Sequence, residues 1–167
     1  MNTYKSGDVV VYGAEGVCVV TGITEKKFDN EIISYYVLEK VGKKESTTYV
    51  PSNNERSLKK MRLVLTKEEF LALFKDNTQI LPWIDKDRDR QKAFKDIILF
   101  GDTRDLVCLI KTLYSRQIEQ HKVGKRLHIS DERIFKDAEK IIKEEISYVF
   151  GISIDEVHDF ILNSIGE

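Results

Sequence analysis

The stretch GDVVVYGAEGVCVVTGI (7–23) holds two short β-branched runs, VVVY (9–12) and VCVVTGI (17–23), on either side of GAEG (13–16). Runs this short and this rich in valine read as strands, and the glycines between them supply a tight turn. Working outward, IISYYVLEKV (32–41) and TTYVP (47–51) read the same way, joined by the polar links EKKFDNE (25–31) and GKKES (42–46). Antiparallel hairpins are the simplest connection. Four or five strands in about 50 residues suit a small bent antiparallel sheet or partial barrel of the SH3 or Tudor kind.

Beyond Pro51 the apolar period changes from 2 to 3.6 and helices take over. Thr66 with Glu69 forms a capping box opening a short helix to about Phe74. Lys75 to Gln79 reads as a polar linker. A second helix is expected after Pro82 and Trp83, running to about Phe100. A third starts at Thr103, with Leu106, Leu109, Ile110 and Leu113 on one face. Ser130, followed by Asp131 and Glu132, is expected to start a fourth with the stripe Ile134, Ala138, Ile141, Ile142 and Val149, closed by Gly151. A last helix follows Ser153, where Glu156 completes another capping box. The expected fold class is therefore α+β: a Tudor-like β-module over residues 1–65, then a compact all-helical domain over residues 66–167.

The chain has 167 residues, 41% hydrophobic and 33% charged, enough to bury one ordinary core or two small ones. The longest apolar runs fall far short of the roughly 20 residues of a membrane-spanning helix. The opening MNTYKSGDVVVYG lacks the apolar core of a secretion signal, so a cytoplasmic location is expected. Cys18 and Cys108 are too far apart to pair as a redox motif or as zinc ligands, and buried thiols are expected. The net charge of −1 conceals an uneven placement: residues 111–130 carry +4 and residues 131–167 carry −6.

Catalytic signatures are missing: there is no GxGxxG, GxxxxGK[ST], HExxH or GxSxG. His121, His128 and His158 stand apart from each other and from the cysteines, which gives surface or cap roles and no metal site. The pairs Glu144–Glu145 and Asp155–Glu156 are expected on polar helix faces or helix starts, explained by solvation and the helix dipole. An enzyme is not expected, nor any cofactor.

The lone tryptophan, Trp83, lies between Pro82 and the alternating run DKDRDRQK (85–92). Two readings compete there: an indole capping the helical bundle, or a projecting wedge of the kind that props open a DNA base step. On a helical wheel Arg88, Lys92 and Lys95 share one arc and Asp85, Asp89 and Asp96 the next, which by itself describes a solvated, ion-paired face. With Trp83 nearby and the basic stretch containing Lys111, Arg116, Lys122, Lys125 and Arg126, the same cations suit weak, sequence-independent DNA contact.

The order and spacing of GDVVVY (7–12), Gly16, YYVLEKV (35–41), YVP (49–51), Asn53, Trp83, Gly101–Asp102 and the helix at Ser130 make the chain resemble the CarD/CdnL family of bacterial transcription regulators. Its N-terminal part is also similar to the polymerase-interacting module of transcription-repair coupling factors. The resemblance implies a transcription regulator whose Tudor-like module binds the RNA polymerase beta subunit. Its helical domain would touch promoter DNA at the upstream edge of the bubble, where the family's tryptophan stabilises the open complex. By position this tryptophan is Trp83; the DNA-facing cations would be Lys86, Arg88 and Arg116, joined by Lys92 on the same helical strip, and the polymerase contacts Lys26 and Tyr49. Tyr49 stands where family members often carry arginine, and the aspartates at 85, 87 and 89 dilute a patch that is usually more basic. The acidic last third suits an alternative, a protein-interaction adaptor whose helical domain binds protein and not DNA.

Overall fold

In a computed structural model that describes residues 3–43, 45–76 and 80–165, the chain divides into two units, Met1–Val64 and Leu65–Glu167. The first is built on the valine runs. Strands β1 (Val9–Tyr12), β2 (Val17–Phe28), β3 (Glu31–Lys40), β4 (Thr47–Pro51) and β5 (Met61–Leu63) form one antiparallel sheet in the order β4-β3-β2-β1-β5. A short helix, α1 (Glu55–Leu58), precedes β5 and is capped by Asn54, whose side chain accepts from the Ser57 amide at 2.9 Å. The expected α+β class is borne out, with the sheet left open and not closed into a barrel.

Alternation along the strands sends Val10, Cys18, Val20, Tyr36, Leu38, Val50 and Met61 into one core, which Tyr4 joins from the segment before β1. Tyr4 closes it: its ring meets Tyr36 edge-on at 5.7 Å, and its hydroxyl donates to the Met61 carbonyl at 3.0 Å. Gly16, read as a turn residue, has φ +83° and ψ −151°, a region that side chains with a Cβ rarely enter.

The link expected at 25–31 is a correction. β2 and β3 pair through Phe28 and Glu31, so only Asp29 and Asn30 lie outside the ladder, and Asp29 takes φ +50° for the two-residue turn. Residues 25–28 are exposed, and with no buried face to enforce alternation their polar sequence resembles a loop. Lys44 of the GKKES link and residues 77–79 of the expected polar linker lie outside the described residues.

The second unit holds α2 (Lys67–Lys75), α3 (Asp87–Phe100), α4 (Thr103–Lys122), α5 (Ile129–Phe150) and α6 (Ile154–Ile165). The Thr66–Glu69 capping box is complete, with bonds of 2.8 and 3.2 Å, and Asp102 with Asp105 forms another at the head of α4. Gly151 ends α5 in the left-handed region, φ +66°. The cap of α5 is His128, not Ser130: Nδ1 of His128 accepts from the Ser130 amide at 3.3 Å. α3 starts later than expected, at Asp87, for a reason that lies in the site below.

Leu109, Leu113, Ala138, Ile146 and Val157 are fully buried in this unit, with Phe70 and Phe94. Glu145 lies among them, completely buried, which overturns the solvated-face reading of Glu144–Glu145. Its carboxylate accepts from the Thr103 hydroxyl at 3.0 Å and from the Leu65 amide at 3.2 Å, tying the heads of two segments to the middle of α5. A buried carboxylate persists only when so bonded. Glu145→Ala should lose both bonds and open a cavity, lowering stability by about 2–4 kcal/mol, measured as a fall in the urea midpoint.

Candidate functional site

Within the first unit, Lys26, Tyr35 and Tyr49 project from three neighbouring strands on the face opposite the core, because each is out of phase with the buried Tyr36, Leu38 and Val50. The Lys26 ammonium lies 3.7 Å from the Tyr49 ring centre and 5.9 Å from that of Tyr35. The two residues assigned to polymerase contact are thus brought together, 23 positions apart in sequence but joined by a cation–π contact. Such a contact contributes about 0.5–1 kcal/mol when exposed. Tyr49 remains 46% exposed, and β4, which carries it, is an edge strand whose outer backbone groups pair with no strand of the sheet.

In the second unit the indole of Trp83 is half-buried and meets three side chains. Phe94 touches it edge-on with centroids 6.1 Å apart, and the guanidinium carbons of Arg90 and Arg116 lie over it at 4.6 and 4.7 Å. Trp83 therefore has an apolar neighbour that local sequence did not offer, one turn past Arg90 on α3. The segment before α3 is pinned at its start, where the Leu81 amide donates to the Thr112 hydroxyl at 2.9 Å.

Arg90 is only 3% exposed, and every part of its guanidinium is engaged. Nε and Nη2 donate to both oxygens of the buried Asp131 at 3.1 and 2.7 Å, Nη2 also to Asp87 at 2.8 Å, and Nη1 to the carbonyls of Ile84 and Asp85 at 3.0 and 3.3 Å. The bidentate bond to Asp131 raises the Arg90 pKa above its ordinary value, against the lowering effect of burial, so this cation never titrates in the working range. The two carbonyls turned toward Arg90 also explain the late start of α3: Ile84 and Asp85 lie outside the helix, and Lys86 takes the extended N-cap conformation, ψ 112°. Asp85 is accordingly not part of the helical arc expected for it.

The other assigned cations are distributed differently. Arg116 stands on the indole itself, with a 3.5 Å contact to Glu119. Lys86, Arg88 and Lys92 are exposed at the head and along the outer side of α3, and Lys86 lies 3.9 Å from Asp89. Sequence reasoning missed Arg90 and Asp131. In DKDRDRQK the former looks like one more solvated charge, although its spacing of four from Phe94 puts it on the core side of the helix. Among the described residues no group of three metal-ligating side chains occurs.

Residues 4–62 match the family of the CarD-like/TRCF RID domain. The resemblance read from the sequence is thereby borne out for the β-module. Over nearly its whole length the chain is also similar to "Putative transcription factor YdeB" of Bacillus subtilis (strain 168), at 22% identity over 161 residues, covering 94% of this chain and 99% of the relative.

The Arg90–Asp131 pair yields a sharp expectation. Removing one partner leaves a buried charge uncompensated, so Asp131→Ala should destabilise by about 3–5 kcal/mol, and the double change Arg90→Met with Asp131→Leu should recover much of that loss. Denaturant titration followed by the emission of Trp83, the single tryptophan, reads both the midpoint and the disturbance of the stack.

Proposed function

We propose that this chain is a transcription regulator that binds the RNA polymerase beta subunit through a Tudor-like CarD-like domain and stabilises the promoter open complex with its helical unit. The observation that carries the reading is the match of residues 4–62 to the CarD-like/TRCF RID family. The near full-length similarity to a protein named as a transcription factor supports it. On this reading the polymerase meets the edge strand β4 and the Lys26–Tyr49 surface beside it, where a partner strand gains backbone hydrogen bonds and the cation–π pair adds selectivity.

Trp83 would then act at the upstream edge of the bubble, with Arg116, Lys86, Arg88 and Lys92 drawing phosphates toward it without reading sequence. The aspartates of DKDRDRQK weaken this attraction, since Arg90 is already matched by the buried Asp131 and leaves the charge of the exposed Asp87 uncancelled. Weak intrinsic affinity suffices, because tethering to polymerase raises the local DNA concentration to something like millimolar. Such a protein works in the cytoplasm; among the described residues no helix is long and apolar enough to cross a membrane. The adaptor alternative draws on the −6 charge of residues 131–167. A salt series separates the two, since only phosphate contact makes affinity fall steeply with salt.

Lys26→Glu combined with Tyr49→Ala should weaken co-purification with polymerase while leaving the melting transition of the full chain in place; equal recovery would move the contact elsewhere. Trp83→Ala should shorten open-complex lifetime at constant polymerase affinity. Because the indole is half-buried, its removal should cost less than the about 3–5 kcal/mol of a core aromatic. Arg88→Ala with Arg116→Ala should shorten the lifetime in a salt-dependent way.

A further inference from the structure

Beside the indole lies a cleft of about 310 Å³ whose walls come from the segment entering α3, from α4 and from the loop between α4 and α5. Arg90, Asp87 and Asp131 line it but are tied to one another; the lining also holds Arg116, which lies 3.5 Å from Glu119, with Arg126, His128 and Asp85. The guanidinium of Arg126 is exposed and has no hydrogen bond or ion pair among the described residues. His128 accepts from the Ser130 amide through Nδ1, so the neutral ring carries its proton on Nε2 and offers a donor there. The Asp85 carboxylate likewise lacks a donor among the described residues. Formal charge over the lining cancels, but it is split by origin: Arg116 and the unpaired Arg126 come from α4 and the loop after it, and Asp85 from the segment before α3.

A cleft with two arginines, a carboxylate and an aromatic wall suits a ligand with an anionic end, a planar apolar body and an amine. One nucleotide unit has that design, and a volume of about 310 Å³ is at the small end of the range used for such ligands. We propose that this cleft is a nucleotide site: the base stacks on Trp83, the phosphate sits between Arg116 and Arg126 with a hydrogen bond from His128, and the exocyclic amine of a cytosine or adenine faces Asp85. Base-on-indole stacking and guanidinium–phosphate pairing are the two interactions by which unpaired strands are held. Arg116 has a second part. Its 36% exposed side chain now covers the indole, and pairing with the phosphate draws it aside to admit the base. The inference rests on the DNA-contact reading of the same surface and adds Arg126, His128 and Asp85 to it.

The test titrates the full chain with single-stranded oligo(dC) while following the emission of Trp83, and repeats the titration with Arg126→Gln, an exposed change that leaves the fold alone. Saturable quenching is expected, with Kd raised about tenfold by Arg126→Gln for the loss of a charge-assisted bond to phosphate. Free dCMP is the second probe: quenching equal to that of the oligonucleotide makes a free nucleotide the ligand, whereas quenching by the oligonucleotide alone makes it a strand. No saturable quenching by either probe, or an Arg126→Gln protein that binds as tightly as the parent, overturns the site. If it falls while Trp83→Ala still shortens open-complex lifetime, the DNA-contact reading survives without it; if lifetime is also unchanged, both fall.

Discussion

The bidentate pair between Arg90 and Asp131 governs the helical unit. Taking a guanidinium and a carboxylate out of water is expensive, and the pair survives because nearly every donor and acceptor it carries is matched in good geometry. The match has structural consequences in sequence on both sides. Upstream, the carbonyls of Ile84 and Asp85 are turned to Nη1, which keeps residues 84–86 out of α3 and holds the chain extended where Trp83 emerges. Across the bundle, Asp131 in the first turn of α5 ties that helix to α3, so the loop bearing Arg126 and His128 arrives beside the indole. Trp83 owes its position to a core ion pair and not to its own burial.

Two guanidinium groups with opposite physical characters share that indole. Arg90 is buried, fully bonded and permanently charged, and serves as a fixed support. Arg116 is partly exposed, with Glu119 at 3.5 Å and the Gln120 side-chain amide beside it, contacts that exposure keeps modest in energy. The indole is thus shared by one cation fixed in the core and one nearer the surface. The Lys26–Tyr49 pair of the β-module resembles the second kind: exposed, modest in energy and suited to rearrangement against a partner.

The legible parts of the fold were those fixed by local chemistry. VVVY (9–12) and TTYVP (47–51) coincide with β1 and β4 because valine and threonine runs between turn residues have one good conformation. The Thr66–Glu69 box and Gly151 mark helix ends because the unpaired amides of a first turn and the left-handed closing residue admit few side chains. The errors share a different cause. The distal ribbon of β2 and β3 is exposed and so lacks the alternation that burial imposes. Glu145 was read as solvated and Arg90 was not singled out, because a charge in a charged run carries no local mark of burial; only partners 42 and 41 residues away decide it.

The sequence by itself therefore determined the α+β division, most helix ends, the absence of catalytic motifs and the position of the one tryptophan, because each follows from propensity, periodicity or capping within a few residues. The tertiary structure alone decided what that tryptophan touches, which charges are buried and which remain free to meet a partner. Those depend on pairing groups far apart in the chain, and the energy of a buried charge is set by neighbours that no local window contains.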